Sequence, residues 1–354
     1  MNHCYSTGIL YVKSIRPSKS GECILLGHGS GGRLTHKLIA DVFYPAFKNP
    51  ILLQEHDGGI FTVDKKRLAI TTDSYVVDPV FFPGGNIGDL AVNGTVNDLA
   101  CCGAKPLYLT AGFILEEGLP MDDLKKIVDS MSRAAEKAGV FIVTGDTKVV
   151  ERGKRDKIFI NTSGVGIVDN YTDISPRRAC AGDIIICSGL IGVHGITILS
   201  TRESLGFETS LKSDTASLSG MLNKLCSEIK DVHVLRDATR GGVSSTLNEI
   251  AQSSNVEIEI DETLLPIPEV VRSASEILGL DPLYIANEGV ALAILPAKLA
   301  EEALKIMRQF PEGENAVIIG RVATGKGACV KMKTLFGGRR IIPMLNGDQL
   351  PRIC

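Results

Sequence analysis

Five aspartates lie where predicted strands run out into loops, most of them beside glycine, threonine or asparagine. A single carboxylate in such a position can be a turn cap. Five of them predict a cluster of hard oxygen ligands, which Mg²⁺ with nucleotide phosphates requires. The sequence has no Walker A motif that would bind the phosphates otherwise. We therefore predict that Mg²⁺ is bound by Asp57, Asp73, Asp98, Asp146 and Asp237.

Three further side chains have types that suit phosphoryl transfer and proton removal. Lys148, two residues after Asp146, can supply positive charge to a transferring phosphoryl group. Glu288 directly precedes an apolar strand, where it is either a solvated turn residue or a general base. His194 in "GVHGIT" is a second base candidate, although histidines flanked by glycine also act as donors at helix starts.

The stretch "GHGSGG" fits the dinucleotide fingerprint through Gly27, Gly29 and Gly32, and an acidic residue, Glu55, follows at about the required distance. The elements after it do not continue as alternating strands and helices, which disfavours a nicotinamide site. We expect instead that exposed backbone N–H groups of this loop contact phosphate. A tight strand-to-helix turn remains the alternative.

Composition excludes several classes of protein. The 38 basic and 41 acidic residues nearly cancel, and no basic run is dense enough for nucleic acid. No apolar run reaches transmembrane length, and the N-terminus lacks a secretory signal. The nine cysteines are odd in number and form no C-x-x-C pair, which disfavours a disulfide framework or structural zinc and favours the reducing cytoplasm. Cys354 is the last residue, so it is not in a prenylation motif.

The periodicity predicts an α/β chain of two domains, as the length of 354 residues also does. Predicted strands of the first domain cover residues 23–27, 67–73, 106–115, 140–146 and 157–168, and predicted helices cover 33–43 and 121–139. The second domain has predicted strands at 183–189, 256–260 and 289–295. Its predicted helices cover 195–206, 217–229, 268–279 and 297–310, and another follows "DATRGGV". We divide the chain into a poorly ordered extension (1–22), an N-terminal domain (23–170), a C-terminal α/β domain (171–333) and a mobile tail (334–354).

Seven motifs together resemble the HypE family of hydrogenase maturation proteins, over about residues 24–354. They are "GHGSGG", "TTDSYVVDPVFFPGGNIG", "FILEEGLP", "TGDTKVV", "DATRGGV", "ANEG" and the terminal "LPRIC". The resemblance implies a two-domain PurM-like fold, with an N-terminal domain that forms a homodimer by closing a β-barrel. It also implies Mg-ATP in the cleft, and we expect ATP to contact Gly29, Ser30, Gly31, Gly32, Asn97, Asp98, Thr147, Lys148, Arg240, Gly241 and Gly242.

The resemblance also implies a role for Cys354. In this family the terminal sulfur receives a carbamoyl group from the carbamoyltransferase HypF, and ATP then drives its dehydration to S-cyanide. The cyanide passes to iron on the HypC–HypD complex. Two alternatives stay open: a selenophosphate synthetase, although Cys23 is not followed by the lysine which that activity needs, and a non-catalytic sulfur carrier. We therefore expect the catalytic residues to be Cys354, together with Glu288, Lys148 and His194 singled out above.

Overall fold

A computed structural model of the chain describes residues 23–153, 157–202, 210–325, 327–347, 349–350 and 352–354. The predicted extension 1–22 lies outside the described residues. The described chain folds around two separate sheets, one on each side of residue 175.

The first domain is built on a five-stranded sheet of order β1-β2-β7-β5-β6, in which only β5 and β6 are parallel. A two-stranded hairpin, β3–β4, lies beside it. The helices α1 and α2 are joined by a π-helical turn at Ile39–Phe43. The bounds of these elements are β1 Gly59–Val63, β2 Lys66–Tyr75, β3 Phe81–Phe82, β4 Gly85–Asn86, β5 Ala104–Glu116, β6 Phe141–Val150, β7 Ile158–Val168, α1 Arg33–Leu38, α2 Tyr44–Phe47, α3 Ile87–Cys101 and α4 Met121–Ala138.

Helices α3 and α4 form for different local reasons. Asn86 caps α3 by accepting from the Gly88 N–H (2.8 Å), while Asp89 accepts from the Asn86 N–H (2.8 Å). Helix α4 has the predicted apolar stripe and ends at Gly139, whose φ of 70° favours glycine. Because α3 is buried nearly all round between the sheet, α4 and the second domain, it has no amphipathic pattern and was not predicted.

The second domain contains a seven-stranded sheet of order β14-β13-β10-β12-β8-β11-β9, antiparallel except for the β10–β13 pair. Helices pack on both of its faces, where two apolar clusters form the core. The bounds are β8 Asp183–Cys187, β9 Val234–Asp237, β10 Glu257–Asp261, β11 Ala291–Pro296, β12 Val317–Ala323, β13 Cys329–Lys333, β14 Arg339–Ile341, α5 Val193–Thr201, α6 Ser219–Glu228, α7 Gly242–Ser254, α8 Glu269–Leu278 and α9 Ala300–Met307.

Two predictions about local structure differ from the observed elements. The strand predicted at 23–27 is wrong: Leu26–Gly29 is a 3₁₀-helix, and the side chains before it are exposed with no strand to pair with. The tail predicted from residue 334 contains the strand β14, and Ile342, Met344 and Leu345 behind it are buried. The mobility of the tail stays a prediction.

The first sheet has one covered face and one open face. Helices α3 and α4 cover the inner face. The outer face exposes apolar side chains, including Ile70, Tyr108 and Val143, and every residue of the edge strand β6 is exposed. Within the described residues, no helix combines the length and the apolar character that a membrane span needs.

Candidate active site

Four of the five predicted metal ligands converge where the two domains meet. Asp98 comes from the end of α3, Asp237 from the end of β9, and Asp57 from the loop before β1. The Thr71 hydroxyl lies 2.8 Å from an Asp98 carboxylate oxygen and 2.9 Å from the Asp57 carbonyl. One carboxylate oxygen of Asp57, one of Asp237 and the sulfur of Cys101 lie within 4.8 Å of one another. We call Asp57, Asp73, Asp98 and Asp237 the acidic cluster.

Crowding and burial make the acidic cluster electrostatically unfavourable by itself. Burial, and then the charges of Asp237 and Asp57, raise the pKa of Asp98 well above its usual range. Burial raises the pKa of Asp237 to about 6, although Arg236 lowers it. The pKa of Asp57 is also raised by burial, and its Oδ2 atom is buried without a hydrogen-bond partner in the described part of the chain. Hard carboxylate oxygens with an unsatisfied buried atom fit a divalent cation such as Mg²⁺.

Arg236 is a neighbour of the acidic cluster that sequence reasoning missed. Its Nε lies 2.7 Å from Asp57 Oδ1, and its terminal nitrogen pairs with Glu249. Glu249 also contacts His36 at 3.0 Å. The charges of Asp57 and Glu249 raise the pKa of Arg236, which therefore stays charged although its side chain is only 15% exposed. Arg236 directly precedes Asp237 in the recognised "RDATRGG" motif, which was the available signal.

Asp146 and Lys148 do not join the acidic cluster within one chain. Across the sheet, Asp146 aligns through Gly112 and Asn161 with Ser74, next to Asp73. Neighbours in sequence on a strand point to opposite faces of the sheet. Asp146, which is aligned with Ser74, therefore points to the outer face, opposite to Asp73, and its strand β6 lies three strands away from β2. Its carboxylate pairs with Lys148, which lowers the pKa of Asp146, and both side chains are exposed. Thr147 lies between them on the same exposed strand.

The predicted phosphate loop, residues 27–32, packs against the "DATRGGV" turn that contains Arg240 and against the C-terminal tail that contains Cys354. A Cβ atom on Gly31 would lie 2.7 Å from the Arg240 carbonyl oxygen, and one on Gly32 would lie 2.4 Å from the Leu345 carbonyl oxygen. Only glycine permits these approaches. Arg240 donates to the Gly29 carbonyl at 2.9 Å, and the Ser30 hydroxyl lies 2.8 Å from the Gly347 carbonyl.

Arg240 connects this loop to the acidic cluster. Its guanidinium lies 3.9 Å from Asp73 Oδ1. Gly241 and Gly242, with φ of 77° and 59°, follow it into the first turn of α7. Asn97 faces elsewhere: its amide donates to the Ala216 carbonyl and accepts from the Leu218 N–H, so it fastens α3 to the start of α6.

Glu288 is buried, not solvated, with 3% of its surface exposed. Its Oε1 atom has no hydrogen-bond partner among the described residues. Burial, followed by the charges of Asp214 and Asp73, raises its pKa well above the usual range. Asp214 in turn accepts from the N–H groups of Glu288 and Gly289 at 3.2 Å, and burial raises the pKa of Asp214 to about 6.

The terminal cysteine lies inside this cleft. Its terminal carboxylate accepts from the Val76 N–H (2.9 Å), and the Arg352 carbonyl accepts from the Asp78 N–H (3.1 Å). The tail, the glycine loop and Arg240 line a cavity of about 190 Å³. Burial raises the pKa of the Cys354 thiol far above its usual range, while the Arg240 charge lowers it and the Glu288 charge raises it further. The thiol is therefore protonated where it lies.

Comparison with known proteins agrees with this arrangement. Residues 55–168 match the AIR synthase related protein N-terminal domain, and residues 181–333 match the corresponding C-terminal domain. The carbamoyl dehydratase HypE of Azotobacter vinelandii is 51% identical over 327 residues, which cover 92% of this chain and 96% of that protein. The Escherichia coli K12 carbamoyl dehydratase HypE is 46% identical over 94% of this chain and 99% of that protein.

The chain belongs to the HypE family of carbamoyl dehydratases.

Solved structures of HypE proteins have the same fold. A crystal structure of HypE in complex with ATP covers 94% of this chain and 100% of its own, with 52% identity and a TM-score of 0.79. A HypE–HypF complex matches with 48% identity and a TM-score of 0.82, over 87% of this chain and 99% of that one. A thiamine monophosphate kinase bound to AMPPCP, 21% identical with a TM-score of 0.66, shares the fold. The two-domain PurM-like prediction is confirmed.

Proposed function

We propose that this chain is an ATP-dependent carbamoyl dehydratase whose substrate is a carbamoyl group on its own Cys354, converted to S-cyanide for the iron of nickel–iron hydrogenase. One observation carries the proposal: the last residue lies in the interdomain cleft beside Arg240, Glu288 and Asp73. A terminal thiol that is half-buried and protonated there is a poor nucleophile within the cleft. It is suited to carry a group that reacts there.

The chemistry requires that a poor leaving group be converted into a good one. The carbamoyl oxygen takes the γ-phosphoryl group of ATP, which releases ADP, and one N–H proton leaves. The C–O bond to phosphate then breaks as the second N–H proton is removed, and its electron pair leaves with phosphate while the C≡N bond forms. ATP and the carbamoyl group thus yield ADP, phosphate and S-cyanide.

Residues in the cleft can support each of these steps. The acidic cluster would hold Mg²⁺, which when bound neutralises phosphate charge. Arg240, at the glycine loop, is oriented to contact phosphate oxygens between that loop and Asp73. Glu288, once it has released the proton that its raised pKa favours, is a stronger base than an ordinary carboxylate and accepts the nitrogen protons.

Partners follow from the position of the sulfur. A thiol held in the cleft must leave it to receive a carbamoyl group, so the tail has to reach a second protein. We propose HypF as that carbamoyltransferase, in keeping with the HypE–HypF complex, and a HypC–HypD complex as the acceptor of cyanide. We also propose that the protein is cytoplasmic, where its cysteines stay reduced; the eight described cysteines form no disulfide.

Mass spectrometry of the C-terminal peptide tests the proposal. After incubation with HypF, carbamoyl phosphate and ATP, the peptide should gain the mass of a carbamoyl group. With Mg-ATP it should then lose the mass of one water. Carbamoylation without any water loss would favour the sulfur carrier, and no carbamoylation at all would favour a selenophosphate synthetase-like enzyme.

We further propose that the active unit is a homodimer that pairs through the outer face of the first sheet. That face is apolar and exposed, and β6 forms one of the sheet's two unpaired edges among the described strands. Because Lys148 and Asp146 point to this face, away from their own acidic cluster, they can serve only the cleft of the partner.

Mixing two inactive variants tests this arrangement. Lys148→Ala and Glu288→Gln chains, each inactive alone, should regain roughly a quarter of wild-type activity when unfolded and refolded together, because one site in each mixed dimer is complete. A refolded mixture that stays inactive would contradict a role for Lys148 across the dimer.

A further inference from the structure

Three carbonyl groups at the end of the tail are held by two different parts of the protein. The carbonyl of Arg352 and the terminal carboxylate of Cys354 accept hydrogen bonds from the backbone N–H groups of Asp78 and Val76. The carbonyl between them, that of Ile353, accepts from the imidazole Nε2 of His194 at 2.7 Å. The first two contacts come from the N-terminal domain, and the third comes from a side chain of the C-terminal domain.

The tautomer of His194 follows from these partners. A carbonyl can only accept, so Nε2 carries the hydrogen. Nδ1 is then the acceptor for the Ser213 hydroxyl, 2.8 Å away. The ring is fully buried, its edge meets the ring of Phe82, and burial lowers its pKa to about 4, so it is neutral at physiological pH. With Nε2 already protonated and Nδ1 occupied, His194 cannot act as the general base while the tail is docked.

His194 is also held in a fixed position relative to Glu288. The first turn of α5 is tied to the segment just before Glu288: the Gly192 N–H donates to the Asn287 side chain at 2.7 Å, and the Gly195 N–H donates to the Ala286 carbonyl at 3.1 Å. A Cβ atom on Gly195 would lie 2.4 Å from Ile285, so α5 packs closely against the segment before Glu288. The donor at His194 and the carboxylate of Glu288 are thus parts of one rigid unit.

We propose that His194 is a latch for the C-terminal tail: it binds the peptide carbonyl next to Cys354 and so sets the sulfur, with the group it carries, against Glu288. His194 is a positioning residue, and the base role stays with Glu288. This inference rests on the proposed function for its catalytic meaning, but the latch itself is a property of the resting protein.

The latch makes a prediction about tail position that needs no activity. Cys354 in the cleft is half-buried and its thiol is protonated there, so the docked tail should react with a thiol reagent more slowly than the undocked tail. Loss of one hydrogen bond should increase the undocked fraction about two- to tenfold. A pulse of iodoacetamide followed by mass spectrometry of the C-terminal peptide measures this fraction, with alkylation of the exposed Cys23 in the same sample as the internal reference.

Three variants separate the hydrogen bond from packing. His194→Ala should raise Cys354 alkylation about two- to tenfold. His194→Gln keeps an amide donor and should stay within about twofold of wild type. Phe82→Leu disturbs the packing around the ring but removes neither of its hydrogen bonds, and it should also stay within about twofold. Unchanged alkylation in His194→Ala, or equal increases in His194→Ala and Phe82→Leu, would overturn the latch.

The same variants test positioning in the reaction. When the protein is first carbamoylated by HypF, His194→Ala should receive the carbamoyl group at least as fast as wild type but dehydrate it more slowly, and His194→Gln should restore dehydration. Dehydration at the wild-type rate in His194→Ala would refute the positioning role. If even the wild type is never carbamoylated, the proposed function fails, while the alkylation result still decides the latch.

Discussion

Replacing Glu288 with glutamine tests the identity of the general base. Glutamine has nearly the same shape, and Glu288 Oε1 has no hydrogen-bond partner among the described residues, so the substitution breaks no contact of that atom. Positioned general bases contribute roughly a hundredfold to ten-thousandfold to a rate, equivalent to about 2.7–5.4 kcal/mol of barrier. Glu288→Gln should therefore slow dehydration by that factor and leave carbamoylation by HypF unchanged.

Stability measurements show whether the loss is chemical. The pKa of Glu288 is raised in the folded state, so the folded protein binds a proton that the unfolded chain releases. Wild-type stability then falls as the pH rises from about 4.5 towards the raised pKa. Glutamine cannot titrate, so the free energy of unfolding of Glu288→Gln should fall less steeply over that window and should match wild type within about 1 kcal/mol at its acidic end.

The assay is a single turnover on protein that HypF has already carbamoylated, quenched at intervals and followed by the mass of the C-terminal peptide. Glu314→Gln, an exposed glutamate in the same domain, is the matched control and should react at the wild-type rate. Dehydration by Glu288→Gln within about threefold of wild type would refute the base assignment. A slow reaction accompanied by lost ATP binding would also refute it, because the defect would then lie in binding.

Three further outcomes are expected. Cys354→Ala should abolish cyanation but keep ATP binding by calorimetry; lost binding would show that the tail residue is structural. Asp73→Asn and Asp98→Asn should each weaken ATP binding at least about tenfold with Mg²⁺ and little without it, and normal affinity in both would disqualify the acidic cluster. Arg236→Ala should lower the free energy of unfolding by about 3–5 kcal/mol in denaturant, because it leaves buried carboxylates unpaired. The control Arg321→Ala breaks an exposed pair and should cost below about 1 kcal/mol, and equal losses would contradict this account.

The sequence predicted elements well where one face of an element is polar. Helix α4 was predicted because its apolar stripe repeats at helical spacing and Gly139 ends it. Helix α3 was missed because it is buried on all sides and so lacks a polar face. The strand β14 was missed because it is short and exposed, and glycine and proline around it suggested an irregular tail.

Asp237 was predictable as a site residue because it ends the strand β9. Asp98 was expected at a strand end too, but it lies in helix α3, whose last turns pack against β9 and bring Asp98 near Asp237. The sequence could not show whether Lys148 serves the cleft of its own chain or that of a partner. That depends on whether its side chain lies on the inner or the outer face of the sheet, which the sequence of β6 does not reveal. The docking of the tail was not predicted, because the backbone N–H groups of Val76 and Asp78, which bind two of its carbonyl groups beside the His194 contact, have no side-chain signature.

The origin of the phosphate oxygen tests the central claim most directly. HypF would be supplied with carbamoyl phosphate that carries a heavy oxygen isotope in its carbonyl group, and the inorganic phosphate released during dehydration would be analysed by mass spectrometry. If ATP phosphorylates the carbamoyl oxygen on Cys354, one labelled oxygen should appear in phosphate for every labelled S-carbamoyl group that is dehydrated, with the label content of the carbamoylated peptide measured beforehand. Label released into water, with unlabelled phosphate, would contradict the account.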